Sequence, residues 1–325
     1  MATLTLAKAL NTALREAMDT DNKVLVMGED VGRLGGVFRI TDGLQKDFGE
    51  HRVMDTPLAE SGIVGTALGL AMRGYRPVVE IQFDGFVFPA FDQIISQVAK
   101  VGFRTGGSFL ASMVIRIPFG GGIGAVEHHS ESPESFFCHI AGLRVVACSN
   151  PSDGYHMLRA AIACDDPVIF LEPKRRYWEK GEVVTASHRG DYFSTRLVRS
   201  GTDCTVVTYG PSVPVAMAAA EVATSEGRSL EVLDLRSLSP LDLDPVLDSV
   251  RRTGHLVVVS EAPRESSITS EVAARVSAEA FYSLEAPVVR VAGFDTPYPP
   301  SKLEEEYLPS LDRILEAVDR CLGAS

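Results

Sequence analysis

The sequence predicts an α/β protein in which a first domain with a mainly parallel sheet is followed by a second, smaller α/β domain. Short runs rich in Val, Ile and Phe alternate with helical patterns through the first half of the chain. A polar stretch without periodicity interrupts this alternation, which then starts again. At 325 residues, the chain is too long for one ordinary doubly wound domain and suits two domains with separate cores.

The first domain, residues 1–180, is predicted from alternating helical and extended segments. Apolar residues three and four positions apart indicate the helices, and short continuous apolar runs indicate strands buried on both faces. In chain order the segments are helix TLAKALNTALREAMD, strand KVLVMGED, helix GIVGTALGLAMRG, strand RPVVEIQF, helix FPAFDQIISQVAKVGF, strand SMVIRIP, strand GLRVVAC, helix DGYHMLRAAIAC and strand PVIFLEP. This order favours a parallel sheet covered by helices on both faces.

The second domain, residues 201–325, is predicted from the same signals after a polar linker at 181–200. Its strands are CTVVTYG, SLEVLDLRSL, HLVVVSEA and PVVRVAGF. Its helices are VPVAMAAAEVATSEG, LDPVLDSVRRTG and ITSEVAARVSAEAF. Each strand is followed by a helical segment or a turn, so this half is expected to form a compact α/β domain of its own.

The composition excludes several classes of function. A formal net charge of −12 argues against a nucleic-acid partner, because such binding needs a basic surface. The basic run KRRYW at 174–178 is more typical of a local salt-bridged or anion-facing loop. No apolar run is long enough to span a bilayer, and the N-terminal segment has no signal-peptide pattern. Five cysteines without CxxC or zinc spacing predict reduced thiols in a cytoplasmic protein.

An acidic residue, Glu60, opens a glycine-interrupted apolar helix within VMDTPLAESGIVGTALGLAM. Each helical glycine costs roughly 1 kcal/mol relative to alanine, so Gly62, Gly65 and Gly69 indicate a close approach to the backbone. Tight helix packing or a subunit contact would explain the glycines, and an interaction with the helix dipole would explain the acid. A ligand that approaches this helix would explain both.

The residues Glu60, Gly65 and Gly69 resemble the Glu-x4-Gly-x-x-x-Gly signature of thiamine diphosphate enzymes. Further runs are similar to the β subunits of the E1 components of 2-oxo acid dehydrogenases. These runs are GED (28–30), GGVFR (35–39), DTPLAE (55–60), EIQFDGFVFPAFDQI (80–94), EHHSES (127–132), LEPK (171–174), DLRSLSPLD (234–242) and APVVRVAGFDTPYP (286–299). The segments EIQF and FPAFDQI most resemble the branched-chain members of that family.

This resemblance implies a transketolase-like pyrimidine-binding domain followed by a transketolase C-terminal-like domain. In the family, the acid matching Glu60 hydrogen-bonds N1′ of the cofactor's aminopyrimidine and favours the imino tautomer that removes the thiazolium C2 proton. By the same resemblance, Phe86 would stack on the aminopyrimidine, and Leu58 and Gln82 would line its pocket. Glu29 would lie in the same hydrogen-bond network.

The resemblance assigns a second catalytic role to His129 in EHHSES, which matches the family histidine that faces the lipoyl group. A histidine titrates near neutral pH and can donate a proton during acyl transfer. A surface histidine without a catalytic role is the alternative.

Relatives also bind a structural potassium ion, for which the corresponding ligands here are the backbone carbonyls near Ala161 and Cys164 and the side chain of Asp166. Oxygen ligands suit a hard cation. The same segment, with Asp165 and Asp166 before Pro167, would equally form a turn.

One part of the family's cofactor site has no match in the sequence. The Gly-Asp-Gly and later Asn that hold Mg²⁺ and the diphosphate are absent. The run GGGIG at 120–124 lacks the lysine of a P-loop, so we interpret it as a flexible active-site loop. The resemblance therefore implies an E1 α subunit that supplies the Mg²⁺ and diphosphate ligands within an α2β2 heterotetramer.

The function implied is thiamine diphosphate dependent oxidative decarboxylation of branched-chain 2-oxo acids, with acyl transfer to the lipoamide of the E2 lipoyl acyltransferase. A pyruvate or acetoin dehydrogenase β subunit is the nearest alternative. A noncatalytic scaffold of the same fold is a second alternative, and the presence of Glu60, Phe86 and His129 together argues against it.

Overall fold

Two large sheets and a two-stranded ribbon organise the chain in the computed structural model, which describes residues 1–185 and 190–323. The strands are β1 (Ala2–Thr5), β2 (Val24–Gly28), β3 (Val53–Asp55), β4 (Arg76–Glu80), β5 (Val114–Phe119), β6 (Arg144–Ala147), β7 (Val168–Pro173), β8 (Lys180–Val183), β9 (Arg196–Arg199), β10 (Cys204–Thr208), β11 (Leu230–Asp234), β12 (Ser237–Ser239), β13 (Leu256–Pro263) and β14 (Val289–Gly293). The α-helices are α1 (Leu6–Thr20), α2 (Leu44–Phe48), α3 (Glu60–Met72), α4 (Val101–Arg104), α5 (Glu134–Cys138), α6 (Pro151–Ala163), α7 (Val213–Ser225), α8 (Asp244–Thr253), α9 (Ile268–Glu279), α10 (Glu304–Tyr307) and α11 (Leu311–Leu322).

Side-chain caps mark where several helices begin. Thr5, Asn150 and Ser310 each accept a hydrogen bond from the backbone N–H three residues later, at the starts of α1, α6 and α11. Such a cap satisfies one of the four N–H groups that a helix start leaves unpaired. Gly254, with φ of 71°, ends α8 in the left-handed conformation that glycine adopts without strain. These short polar residues therefore fix the lengths of the helices around the apolar core.

The first sheet has seven strands in the order β12-β6-β7-β5-β4-β2-β3, and all pairs except β12 with β6 are parallel. Its strands are almost wholly buried, which confirms the predicted parallel sheet covered on both faces. At its carboxyl edge, Gly28 at the end of β2 pairs with Asp55 of β3 and Glu80 of β4. The loops after these three strands therefore begin side by side.

A buried ionic network crosses the middle of this sheet. Arg116 of β5 is fully buried and donates to both carboxylate oxygens of Glu172 at 2.7 and 2.9 Å and to Glu80 at 2.7 Å. The hydroxyl of Tyr177 also donates to Glu172 at 2.8 Å. Burial raises the pKa of Glu80, and the charge of Arg116 opposes that rise. The bidentate pair with Glu172 and the third bond, to Glu80, compensate the negative charges of two carboxylates that would otherwise be costly to bury.

The second sheet has five strands in the order β14-β13-β10-β11-β9, and β9 is antiparallel to β11. The two sheets are not formed by separate halves of the chain. After β11 it returns to the first sheet, where Ser237 and Ser239 of β12 pair antiparallel with β6. The predicted second domain, 201–325, therefore contributes an edge strand to the first sheet.

The segment SLEVLDLRSL, predicted as one strand, forms β11 and β12 in different sheets, and two further segments differ from the prediction. The expected linker at 181–200 contains most of β8, which pairs with β1, and all of β9. Both are partly exposed edge strands, so polar residues hid the pattern, and residues 186–189 lie outside the described part of the chain. The expected helix FPAFDQIISQVAKVGF is a 3₁₀ helix at Asp84–Ala90, a π-helix at Gln93–Val98 and the short α4. Pro89 in this segment disfavours a regular α-helix.

Candidate active site

The carboxyl ends of three neighbouring parallel strands carry the predicted pyrimidine-site residues. Glu29 follows β2 directly, Glu60 is the first residue of α3 just after β3, and Gln82 follows β4 by two residues. In open α/β sheets, ligands bind in the crevice outside the carboxyl ends of the strands. The fold therefore places Glu29, Glu60 and Gln82 at the usual ligand-binding edge.

The two acids are buried and interact with each other. Glu29 is 8% exposed and Glu60 is 7% exposed. Burial raises the pKa of Glu29, and the negative charges of Glu60 and Asp30 raise it further. One oxygen of Glu29, Oε1, is buried without a hydrogen-bond partner among the described residues. This acceptor would normally be paired in a folded protein, so it marks a position for a ligand hydrogen-bond donor.

The remaining pocket residues lie around this pair with different exposure. The amide nitrogen of Gln82 donates to the carboxylate of Asp30 at 3.2 Å and lies 3.5 Å from the carbonyl oxygen of Glu29. Phe86 is half-buried in the 3₁₀ helix that packs against α3. Leu58 is 81% exposed, so within this chain it covers no pocket. An exposed leucine beside a buried acid fits a site that another surface completes.

His129 lies against the same aromatic cluster. Its ring centroid is 5.1 Å from that of Phe86 and 4.3 Å from that of Phe83, both with edge-on geometry. Partial burial lowers the pKa of His129, and the positive charges of His128 and Lys174 lower it further. Its Nδ1 is buried without a partner in the described structure. The arrangement favours a neutral imidazole near neutral pH, with one ring nitrogen free for a ligand.

The sequence did not reveal a buried ion pair beneath this cluster. Lys174 and Asp84 are both fully buried and bonded to each other, and the Lys174 ammonium lies 5.9 Å from the centre of the Phe83 ring. Burial raises the pKa of Asp84 to about 6, although the Lys174 charge and the backbone N–H of Glu131 act in the opposite direction. The residues are 90 positions apart. No local sequence pattern links the two residues, although Lys174 is the last residue of the run LEPK (171–174), which contributes to the family resemblance.

The glycine loop, residues 120–124, is held more firmly than the flexible loop that the sequence suggested. The N–H of Gly121 donates to Glu261 at 3.1 Å, and the N–H groups of Gly122 and Gly124 donate to separate oxygens of Glu304 at 2.8 and 3.0 Å. Successive N–H groups converging on one anion form a backbone nest. Here the anion is a carboxylate from the second half of the same chain.

The basic run at 174–178 is bound within the protein. Arg175 and Arg176 both donate to the carbonyl of Pro211, and Arg175 also pairs with Glu261. These contacts agree with the predicted salt-bridged loop. They join the end of β7 to the second half of the chain.

The predicted potassium ligands lie at and just after the end of α6, and all three already accept hydrogen bonds. Arg76 donates to the carbonyl of Cys164 at 2.9 Å, and Arg144 donates to the Asp166 carboxylate at 3.3 Å. The carbonyl of Ala161 accepts the N–H of Cys164 at 3.2 Å. A guanidinium group thus already supplies positive charge there, and these contacts do not fit a potassium ion. The potassium site remains a prediction without support from the geometry.

Within residues 1–185 and 190–323, no group of three or more His, Cys, Asp and Glu side chains is arranged to hold a metal ion. No helix in the same ranges is long and apolar enough to cross a bilayer.

Comparisons with known proteins identify the family of the chain. The transketolase pyrimidine-binding domain matches residues 2–179, and the transketolase C-terminal domain matches residues 194–314. The pyruvate dehydrogenase E1 component subunit beta of Leifsonia xyli subsp. xyli is 64% identical over 98% of this chain and 95% of that protein. The 3-methyl-2-oxobutanoate dehydrogenase subunit beta of Mycobacterium tuberculosis is 54% identical over 98% of this chain and 92% of that protein.

A solved structure described as a split-gene transketolase, an inactive β4 tetramer, covers 99% of each chain with a TM-score of 0.82. At 22% identity this likeness establishes a shared fold. The domain matches and the full-length relatives establish more than the fold. The chain belongs to the transketolase-like family of E1 β subunits of 2-oxo acid dehydrogenases.

Proposed function

We propose that this chain provides the aminopyrimidine half of a thiamine diphosphate site in a branched-chain 2-oxo acid dehydrogenase E1. The observation that carries the proposal is the buried pair Glu29 and Glu60, with Oε1 of Glu29 left unpaired within the described chain and Phe86 on the 3₁₀ helix that packs against α3. Two buried acids and an aromatic face suit a flat heterocycle that donates and accepts hydrogen bonds. The reaction is oxidative decarboxylation, followed by acyl transfer to lipoamide of an E2 lipoyl acyltransferase.

Thiamine diphosphate, when bound, supplies the nucleophilic carbon and the electron sink for loss of CO₂. The residues of this chain would orient the cofactor and control the position of one proton. Glu60 would hydrogen-bond the ring nitrogen N1′ and so favour the active tautomer of the aminopyrimidine. Glu29, whose pKa is raised by burial and by the nearby negative charge of Glu60, would lie in the same hydrogen-bond network. Phe86 supports the ring face.

His129 acts in the second half of the reaction. Its lowered pKa leaves a neutral imidazole. The ring N–H of that imidazole would donate a hydrogen bond to the dithiolane sulfur that leaves as a thiolate when the S–S bond breaks. The edge-on contacts with Phe83 and Phe86 hold the ring beside the pyrimidine residues. The residues proposed for the two half-reactions thus lie around one aromatic cluster, which includes Phe83 and Phe86.

An E1 α subunit completes the site in an α2β2 heterotetramer and brings the ligands for Mg²⁺ and the diphosphate. Support comes from exposed residues near the site whose identity is not explained by packing within this chain. Gly62 and Gly69 of α3 are exposed, and a Cβ built on Gly69 would meet nothing within 4 Å, so packing inside the chain does not explain that glycine. With the exposed Leu58 and a net charge of −12, this face suits a partner that carries the phosphate-binding groups.

The branched-chain substrate rests on EIQFDGFVFPAFDQI and on the resemblance of that segment to branched-chain subunits. The 54% identical relative is named for 3-methyl-2-oxobutanoate, whereas the 64% identical relative is named for pyruvate. Pyruvate is therefore the second candidate. Well-placed methylene groups in an apolar pocket are worth roughly 1 to 3 kcal/mol each, so a branched-chain pocket should favour 2-oxoisovalerate over pyruvate by at least about tenfold in kcat/KM.

Two measurements test the proposal. Thiamine diphosphate with Mg²⁺ is titrated by calorimetry into the purified chain, alone and after co-expression with the α subunit, and a panel of 2-oxo acids is assayed. We expect weak or undetectable binding and no turnover for the chain alone, and tight binding with decarboxylation for the complex. Low-micromolar binding with turnover by the single chain would contradict a shared site, and a preference for pyruvate would select the second candidate.

A further inference from the structure

We infer that Glu304, in the second half of the chain, positions His129 by holding the glycine loop that leads to it. This inference rests on the proposed role of His129 in acyl transfer. It assigns to the C-terminal domain a part in the second half-reaction, through a residue that touches neither cofactor nor substrate.

The carboxylate of Glu304 is matched to the loop atom by atom. One oxygen, Oε1, accepts the N–H of Gly122 at 2.8 Å and the hydroxyl of Tyr298 at 2.6 Å. The other oxygen, Oε2, accepts the N–H of Gly124 at 3.0 Å. Glu304 is only 8% exposed, and both oxygens are satisfied. A negative charge bonded by two backbone amides and one hydroxyl makes short, charge-assisted hydrogen bonds.

The loop has the conformation that such a nest requires. Gly122 has φ of +89°, a left-handed conformation that a residue with a side chain rarely adopts, and a Cβ at Gly121 would lie 1.8 Å from the Tyr298 hydroxyl oxygen. The close approaches of Glu261 to Gly120, of Tyr298 to Gly121 and of Arg175 to Gly122 therefore explain these glycines. A phosphate-binding role is not needed to explain them.

The held segment continues directly into the histidine. Five residues after Gly124, His129 closes a 3₁₀ turn in which its N–H donates to the carbonyl of Val126 at 3.0 Å. The two ends of the segment 120–131 are joined at its base, because the N–H of Gly120 donates to the carbonyl of Glu131 at 2.8 Å. The segment 120–131 is thus fixed at its base and, through Glu304, at the glycine loop. Without the two bonds to Glu304, the glycine loop would keep only the bond of Gly121 to Glu261 and the longer bond of Gly122 to the Tyr298 hydroxyl at 3.3 Å, so the turn that carries His129 would be held less firmly.

The discriminating substitution is Glu304→Gln. A glutamine can still accept one amide N–H through its oxygen, but its NH₂ group would face the other N–H, which places two donors against each other. One attachment is lost while the size of the side chain is kept. Glu305→Gln is the matched control, because Glu305 is the next residue, is exposed and carries the same charge.

The first experiment measures both half-reactions in the α2β2 complex. We expect Glu304→Gln to lower kcat/KM for acyl transfer to a lipoyl domain by about tenfold or more, because misplacing a positioned group by about 1 Å has effects of this size. Decarboxylation with an artificial electron acceptor should change less than about twofold, and Glu305→Gln should change neither rate. In a His129→Ala background, Glu304→Gln should cause no further loss, since both act through one imidazole. Equal losses in both half-reactions, or additive losses, would overturn the inference.

The second experiment needs no activity. Hydrogen exchange of the peptide covering 120–131 should accelerate in Glu304→Gln and remain unchanged in Glu305→Gln. Tyr298→Phe, which removes the hydroxyl bonded to Glu304, should accelerate it less, and it replaces Glu304→Gln if that variant fails to fold. Unchanged exchange in both variants would overturn the inference even in an active enzyme. If no complex decarboxylates any 2-oxo acid, the proposed function fails, and the exchange data still decide whether Glu304 holds the loop.

Discussion

Two groups of buried carboxylates lie along the same sheet and differ in how completely they are paired. In the Arg116 network, Glu80 and Glu172 are both bonded to one guanidinium group, and Tyr177 donates a further hydrogen bond to Glu172. At the carboxyl edge, Glu29 and Glu60 interact as like charges, and Oε1 of Glu29 has no partner in the described structure. The first group compensates itself, whereas the second depends on something outside the chain.

The difference separates a structural role from a ligand-binding role. A buried carboxylate costs several kcal/mol of desolvation unless charge and hydrogen bonds compensate it. At the strand ends, where ligands bind in open α/β sheets, we propose that a ligand supplies the missing compensation. Substitutions in the Arg116 network should therefore change stability, and substitutions at Glu29 and Glu60 should change activity.

The largest effect is expected for Glu60→Gln. In the reconstituted α2β2 enzyme, we expect decarboxylation to fall by roughly 10²- to 10⁴-fold, the range typical of a lost acid/base group. The free energy of unfolding of the purified chain should change by less than about 1 kcal/mol, because the carboxylate makes no ion pair within the described chain. Single-turnover decarboxylation and denaturant titration measure the two quantities. Near wild-type turnover would remove Glu60 from the mechanism.

Arg116→Met should show the opposite behaviour. Removing the cation leaves Glu80 and Glu172 buried without compensation, so the free energy of unfolding should fall by roughly 3 to 5 kcal/mol. Urea denaturation of the purified chain checks this value. The control is Arg39→Met, which breaks the exposed pair of Arg39 with Asp42 and should cost at most about 1 kcal/mol. Equal effects of the two substitutions would show that the buried network has no special role.

His129→Ala should reduce transfer to a lipoyl domain by at least about tenfold more than it reduces decarboxylation measured with an artificial electron acceptor. The reason is that the imidazole is assigned to the second half-reaction only. His128→Ala provides the matched control, because His128 is adjacent and exposed. Identical losses in both assays would place His129 in the first half-reaction or in the structure.

The smallest effect concerns Glu134, a fully buried acid away from the pyrimidine pocket. Tyr209 donates to its Oε1 at 2.6 Å, and its Oε2 has no partner among the described residues. Burial raises the pKa of Glu134 to about 7 despite that hydrogen bond, and the charges of Glu261 and Asp84 also raise it. The stability linked to its proton is fully present below the ordinary value of 4.5 and is lost as pH rises towards 7.

A neutral glutamine at position 134 avoids this loss. Glu134→Gln should therefore gain stability relative to the wild type as pH rises from 5 to 8, by roughly 1 to 3 kcal/mol. Denaturant titrations at several pH values measure the difference, with the exposed Glu306→Gln as a control that shows no such trend. A constant difference across this range would contradict a raised pKa. This test asks whether an unpaired carboxylate that no ligand completes lowers stability.

The sequence was sufficient where function depends on short local patterns. Glu60 was found from its spacing to Gly65 and Gly69, and the alternation of apolar segments predicted the α/β fold. The structure shows Glu29, Glu60 and Gln82 at adjacent strand ends, as a parallel sheet requires. Their placement could be expected because Glu29, Glu60 and Gln82 each lie within five positions of the end of a predicted or observed strand.

Long-range pairs were not accessible from the sequence. Lys174 bonds Asp84 across 90 positions, and Glu304 bonds Gly122 across 182. Neither pair produces a periodic pattern in the sequence, because a single long-range contact does not repeat along the chain. The glycine loop was interpreted as flexible for the same reason. Its glycines were visible, but the carboxylate that holds it was too far away in the chain to be connected with it.

The strand β12 has a consequence for how the chain is made. As the ribosome releases the first half, β6 forms the outer edge of a nascent sheet whose last neighbour, Ser237–Ser239, has not yet been synthesised. Until that segment emerges, the backbone groups of β6 remain available to other chains. We expect a fragment ending at residue 180 to aggregate, and extending the fragment past β12 to reduce that tendency. Crowded polysomes would make this interval the period of greatest risk, so synthesis beyond residue 239 protects the half that was made first.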